Sequence, residues 1–196
     1  MSKKQIVFLV LALLWMVLIF YFSAQTAEES TGQSDGVSYI IGNIIYKDFD
    51  SWSDQRKAEF ADSVSSLVRK TAHMIEYGIL CFLWFETLGG YAVKPLNDQT
   101  AGGPDKDHSA GGPDKDQSAI RSGTGLLINL TYRISGAFFI TVIYAATDEF
   151  HQRFVAGRTG KIADVFIDAG GPLVVCVILA VAFVIKDRGY RKDVNI

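Results

Sequence analysis

The run "IVFLVLALLWMVLIFYF", residues 6–22, limits what this chain can fold into before any other feature is read. It carries no charge and no polar face at the helical period, so it cannot be the amphipathic helix of a water-soluble bundle. Its 17 residues rise roughly 25 Å as a helix, close to the ~30 Å hydrocarbon core of a bilayer. Three more apolar blocks follow at residues 71–88, 132–150 and 162–185, the last containing "LVVCVILAVAFVI". The pattern predicts an all-α integral membrane four-helix bundle, one domain over residues 1–196. Its spans are about 6–22, 71–88, 132–150 and 162–185. Lys3 and Lys4 ahead of the first block also suit a signal peptide. The "SAQTAEES" that follows has no A-x-A site, so the block is read as a retained anchor.

Four spans return both termini to the same side. With both tails cytoplasmic, eleven of the 19 Lys and Arg residues lie inside and eight outside. The positive-inside rule therefore favours a multi-pass protein with both termini in the cytoplasm. The first and third connections then face the exterior. In the first, Phe60, Val64, Leu67 and Val68 fall at helical spacing and predict an exterior amphipathic helix feeding the second span. The second connection holds a tandem repeat, "AGGPDKDHS" then "AGGPDKDQS". Gly-Gly-Pro with alternating Asp and Lys cannot bury a core, and two copies are too few to stack. Residues 97–120 are therefore expected to be a flexible, disordered insertion between spans two and three. The net charge of −2, with no basic run interleaved with aromatics, gives no footing for a nucleic-acid partner. Cys81 and Cys176 both lie inside apolar blocks and read as inert thiols.

The ionisable residues gather where the spans begin and end. Lys70, His73 and Tyr77 share a helix face at i, i+3, i+7, and Arg69, His73 and Glu76 form an overlapping stripe. Asp148 and Gln152 are four apart, as are Glu149 and Arg153, and as are Asp164 and Asp168. In the topology above all of them sit at the outer ends of spans two, three and four. An ionisable residue at the bilayer centre costs about 2.5–3.5 kcal/mol on insertion scales, so such residues are expected to pair or to serve a site. Arg153 or Arg158 with Asp148, Asp164 or Asp168 is the expected pairing. The cluster reads either as interhelical glue that fixes register or as a pocket for a ligand. The candidate ligand-binding residues are Lys70, His73, Tyr77, Asp148, Glu149, Gln152, Arg158, Asp164 and Asp168. A catalytic residue is not defined, and His73 is the candidate for acid/base work. No paired-His spacing points to a metal and no motif points to a cofactor.

Four stretches in this order resemble the VanZ-like family of small polytopic bacterial membrane proteins. They are "FYFSAQTAEESTGQSDG" after the first span, "RKTAHMIEYGIL", "DEFHQRFVAGR" and "ADVFIDAGG". They supply Lys70, His73 and Tyr77, then Asp148, Glu149, Gln152 and Arg158, then Asp164 and Gly171. This chain has Asp168 where the family pattern often has Asn, and Ala156-Gly157 where a Pro often stands. The resemblance implies a four-span protein of the bacterial cell membrane. It also implies a link, in the family's founding member, to low-level resistance to the glycopeptide antibiotic teicoplanin.

Two functions follow as expectations. One is an envelope protein whose exterior polar pocket binds the anionic head group of a membrane lipid or a lipid-linked cell-wall precursor, and so bears on glycopeptide action. The other is a membrane-embedded enzyme acting on a lipid-linked phosphate or ester with His73 as acid/base. A transporter is disfavoured because four spans are few and the halves show no inverted repeat. The sequence leaves the oligomeric state open.

Overall fold

The computed structural model describes residues 1–90 and 115–194. The described residues form six helices: α1 (Lys3–Ser23), α2 (Ala27–Ile45), α3 (Asp54–Thr87), α4 (Lys115–Gln152), α5 (Ile162–Asp168) and α6 (Gly170–Val194). Two short 3₁₀ turns, Phe49–Ser51 and Leu88–Gly90, complete the secondary structure, and no strand occurs among the described residues. The first copy of the sequence repeat and the first five residues of the second lie outside the described residues. The expected disordered insertion therefore falls mainly there, and the backbone is helical from Lys115.

Among the described residues three stretches have the length and apolar composition to cross a membrane: Lys3–Ser23, Gly125–Gln152 and Ile162–Lys186. They match the first, third and fourth apolar blocks. Away from their packed faces they expose large apolar side chains, Leu14, Val17, Phe139, Ile143, Val177 and Ile178 among them. A helix that is apolar all round is at home in lipid rather than water. The second block forms the C-terminal half of α3 and is not one of the three by composition. Its position accounts for that, because α3 packs against α1, α2, α4, α5 and α6. Tyr77, Leu80 and Cys81 on α3 are fully buried. One face of α3 is thus packed against its neighbours and can carry polar residues that they satisfy, while Ile75, Ile79 and Phe82 stay exposed on the other.

The first connection differs from its sequence reading. The sequence pattern predicts an exterior amphipathic helix in its second half that feeds span two. Instead α3 runs unbroken through 34 residues, about 51 Å. No Pro interrupts Asp54–Thr87. The first half of the connection, unassigned from sequence, is α2, laid along α3. Its start is fixed by a capping box. The Thr26 hydroxyl accepts the Glu29 amide, and the Glu29 carboxylate accepts from the Thr26 amide and hydroxyl. Those bonds hold the exposed Glu29 carboxyl below the usual carboxylate range. Ser30, Ser34, Ser38 and Gly42 recur every fourth residue and are all buried. The hydroxyls of Ser34 and Ser38 donate to carbonyls of their own helix. The stripe thus needs no partner from α3 and lets the two helices approach closely. At the tip of this hairpin the Phe49 ring lies so near Gly42 that a side chain at 42 would collide with it.

The span-like stretch Ile162–Lys186 is not one helix. Pro172 has no amide hydrogen to offer the Asp168 carbonyl one turn back, and the chain resets between α5 and α6. Just past that break α6 meets α3 backbone to backbone. A Cβ on Gly171 would strike the Met74 carbonyl, and one on Gly78 would lie 3.5 Å from the Gly171 carbonyl. Side chains also reach across to main-chain carbonyls and tie the helices together. Trp15 Nε1 donates to Glu76 at 2.9 Å, the Tyr144 hydroxyl to Met16 at 2.6 Å, and Gln5 Nε2 to Thr87 at 3.1 Å.

Candidate functional site

The C-terminal end of α1, the start of α2, the middle of α3, the end of α4 and all of α5 meet at one end of the bundle. The turn from α4 to α5 closes over them. Gly157 in that turn has φ +74°, a left-handed conformation that a side chain disfavours by roughly 1–2 kcal/mol. The Ala27 amide donates to the Ala156 carbonyl at 3.2 Å and ties the turn to α2. Gly160 then passes against the Glu149 carbonyl, where a Cβ would not fit. The Lys161 amide donates to the Glu149 carboxylate at 3.1 Å, and the turn is thereby anchored on α4.

Two cavities of about 180 Å³ each open beneath this turn. The first is lined by seven of the nine sequence-derived candidates: Lys70, His73, Glu149, Gln152, Arg158, Asp164 and Asp168. The second lies between α1, α2 and α3 and is lined by Ser30, Gln33, Ser34 and Glu76, with Phe22 at its wall. Arg69, His73 and Arg158 line both. Arg69 belongs to the His73 and Glu76 stripe visible in the sequence but was not among the nine candidates. Ser30, Gln33 and Ser34 of α2 lie in the stretch after the first span that carries the family resemblance, but are not among the nine candidates.

The remaining two candidates, Tyr77 and Asp148, line neither cavity. Both are buried. The Tyr77 hydroxyl donates to Asp148 Oδ2 at 2.9 Å, and Gln152 Nε2 donates to the same oxygen at 3.1 Å. Asp148 is thus the point where α3 and the last turn of α4 are joined, directly behind the first cavity.

The expected pairing of Arg153 or Arg158 with Asp148, Asp164 or Asp168 is not formed. Among the described residues, neither Arg153 nor Arg158 has a carboxylate within 4 Å. Arg158 instead reaches back to α1, where its guanidinium donates to the Phe22 carbonyl at 3.3 Å. That carbonyl lies in the last turn of α1, where the helix dipole favours a cation. Burial lowers the Arg158 pKa and so does the like charge of Arg69, while Asp148, Glu149 and Glu76 oppose the shift. An arginine remains charged throughout. Arg69 donates to the Thr31 hydroxyl at 3.3 Å, and its Nε has no partner. The result is two guanidiniums facing shared cavities without a carboxylate to neutralise them at contact distance.

Several other polar atoms here are buried and unpartnered: His73 Nδ1, Asp148 Oδ1 and Asp168 Oδ2. His73 Nδ1 stands 4.0 Å from Asp168 Oδ1, within ion-pair range but beyond a hydrogen bond. Unpaired buried polar atoms cost about 1–3 kcal/mol each. Among the described residues no three His, Cys, Asp or Glu side chains converge as a metal site.

The fold and the site together define a class: an all-helical membrane protein whose helices close a charged pocket at one end. Within that class the chain belongs to the VanZ/LLP1 family, whose model matches residues 8–184. The match runs from α1 into the last turns of α6 and includes every residue of the pocket. No curated protein and no solved structure matches the chain.

Proposed function

We propose that this protein is a multi-pass protein of the bacterial cell membrane that binds the anionic head group of a lipid, or of a lipid-linked cell-wall precursor, in the pocket around Arg69 and Arg158. One observation carries this reading. Both guanidiniums line both cavities and lack a carboxylate at contact distance. Guanidinium–phosphate bonds are charge-assisted and strong in a partly desolvated site, and Lys70 adds a third cation at the mouth. The carboxylates of Asp164, Asp168 and Glu149 balance the pocket's charge without touching its guanidiniums.

In this reading residues 71–88 of α3 are a fourth span, with both termini in the cytoplasm and the pocket at the exterior boundary. The central position of α3 and the excess of Lys and Arg in the tails and second connection support it. Single cysteines at residues 2 and 55, in a chain with Cys81 and Cys176 replaced by Ala, test it. A membrane-impermeant maleimide added to intact cells is expected to label position 55 and not position 2. The reverse pattern overturns the topology.

The pocket itself is tested by Arg158→Ala. Loss of one charge-assisted contact is expected to weaken binding of phosphatidylglycerol at least about tenfold. Resistance to teicoplanin, if this member confers it, is expected to fall in parallel in a Gram-positive host with membrane levels matched. Unchanged lipid affinity in Arg158→Ala sinks the pocket reading.

A second reading rests on His73. Its free Nδ1 faces a buried carboxylate beside a cavity, an arrangement suited to proton transfer in the hydrolysis of a lipid-linked phosphate or ester. Radiolabelled membrane lipids incubated with the purified protein decide it, and an unchanged lipid profile across pH removes the enzyme.

A further inference from the structure

A third and larger hollow, about 490 Å³, lies on the far side of the α4–α5 junction. Its volume is in the range of a ligand site rather than of a packing defect. Its walls are apolar: Phe138, Val142 and Ala146 from α4, Val165 and Phe166 from α5, and Ala169 at the α5 C-terminal cap. Its rim is not, for Arg153 and Lys161 stand there on the connecting turn. Glu149 belongs both to this hollow and to the first polar cavity. Its carboxylate is held by the Lys161 amide, so this one side chain and the turn across it separate the two spaces. Phe150, Phe154, Ile162 and Phe166 around the junction are all more than half exposed. Aromatic and apolar side chains beside two cations are the composition of a protein surface at the boundary between hydrocarbon and head groups.

We propose that this hollow is the acyl-chain slot for the same ligand whose head group occupies the polar pocket, so that the ligand arrives sideways from the bilayer, past Glu149. The inference rests on the pocket reading above and narrows it. The ligand is an amphiphile with at least one hydrocarbon chain and an anionic head, not a water-borne phosphate. Two features select that occupant over lipid in general. The slot adjoins the charged pocket through a shared residue, and the cations at its rim match the sign of an anionic phosphate. An uncharged lipid offers no anion to Arg153 and Lys161, and a zwitterionic one gains less from them, because its own cation offsets the phosphate. Glu149, held in place by a backbone amide, marks the threshold where the chain ends and the head group begins.

Wild type, Ala146→Phe, Ala169→Phe and Arg158→Ala are compared in phosphatidylcholine nanodiscs. Ala146 is exposed on the wall of the slot, so a larger side chain there fills it without disturbing the buried core. Ala169 approaches the slot from the cap of the other helix and guards against a local effect at one position. The first readout is photo-cross-linking by phosphatidylglycerol with a diazirine on its acyl chain, with chain-labelled phosphatidylcholine as reference. The second is binding of chainless glycerophosphoglycerol, followed by ligand-observed NMR. In wild type the phosphatidylglycerol probe is expected to label the slot in preference to the phosphatidylcholine probe. Both phenylalanine variants are expected to lower that labelling by about tenfold, the effect of roughly two methylene groups kept out of the slot, and to leave glycerophosphoglycerol binding as in wild type. Arg158→Ala is expected to weaken both readouts. Equal labelling by the two lipids, or labelling untouched in both phenylalanine variants, overturns the slot. The pocket reading then still stands if Arg158→Ala weakens glycerophosphoglycerol binding. A wild type that binds no glycerophosphoglycerol overturns the pocket and the slot together.

Discussion

Replacing Gly171 by valine is expected to destabilise the folded bundle by about 3 kcal/mol, at the upper end of the cost of overpacking a tight interior. The cause is geometric. The Cβ alone would strike the Met74 carbonyl, and backbone cannot swing aside as a flexible side chain can. Helices α3 and α6 must therefore separate, and Gly78, whose amide lies close to the same point, loses its close contact with the Gly171 carbonyl. Small residues at such a crossing are what permit helices in lipid to associate, because no hydrophobic force drives them together there. Thermal unfolding in detergent, followed by loss of helicity, measures the cost. Gly171→Ala is expected to show a smaller loss of the same sign. A valine variant that melts with wild type would mean that the crossing is not as close as described.

Asp148→Ala is expected to cost about 3 kcal/mol as well, by another route. One carboxylate oxygen accepts from both the Tyr77 hydroxyl and Gln152 Nε2, and all three residues are buried. Deleting it leaves two donors without an acceptor, each worth about 1–3 kcal/mol when orphaned. Tyr77→Phe removes one donor instead of its acceptor and is expected to cost about 1 kcal/mol. The two changes are also expected to be non-additive. With Asp148 already alanine, removing the Tyr77 hydroxyl relieves an unpaired group, so the double variant is more stable than the sum of the single losses implies. Strict additivity in a double-mutant cycle would show that the hydroxyl and the carboxylate do not act on each other.

The apolar blocks made the membrane class and three of the helices legible, because an uncharged run without a helical polar face has few other places to go. The polar cluster was legible too, since Lys70, His73, Glu149, Gln152, Arg158, Asp164 and Asp168 stand out against their surroundings. What stayed hidden depends on three-dimensional partners. Tyr77 and Asp148 look like pocket residues from spacing alone. Only the packing of α3 on α4 turns them inward to each other. Arg158 sits among carboxylates in sequence, yet the turn carries it toward the end of α1, which no local pattern announces. The helix α2 was obscured by its own composition. Its serines and glycines carry no apolar stripe, and the spacing of Ser30, Ser34, Ser38 and Gly42 gains meaning only once α3 lies against it. The break before α6 did have a signal, Pro172 after two glycines, masked by the continuous apolar run around it.

The unbroken course of α3 has a mechanical consequence. From Asp54 to His73 the chain is a single stiff rod of roughly 28 Å, with the α2 hairpin strapped along it. A rod of that length is a lever. Tilting it by about 5° displaces its far end by roughly 2.5 Å at that arm, while Arg69 and His73 near the pivot move by far less. Were α3 to pivot at His73, a contact at the aromatic tip formed by Phe49, Trp52 and Phe60 would be geared down into a fine adjustment of the two arginine-lined cavities. In the opposite direction, a small shift of the pocket is magnified at the tip.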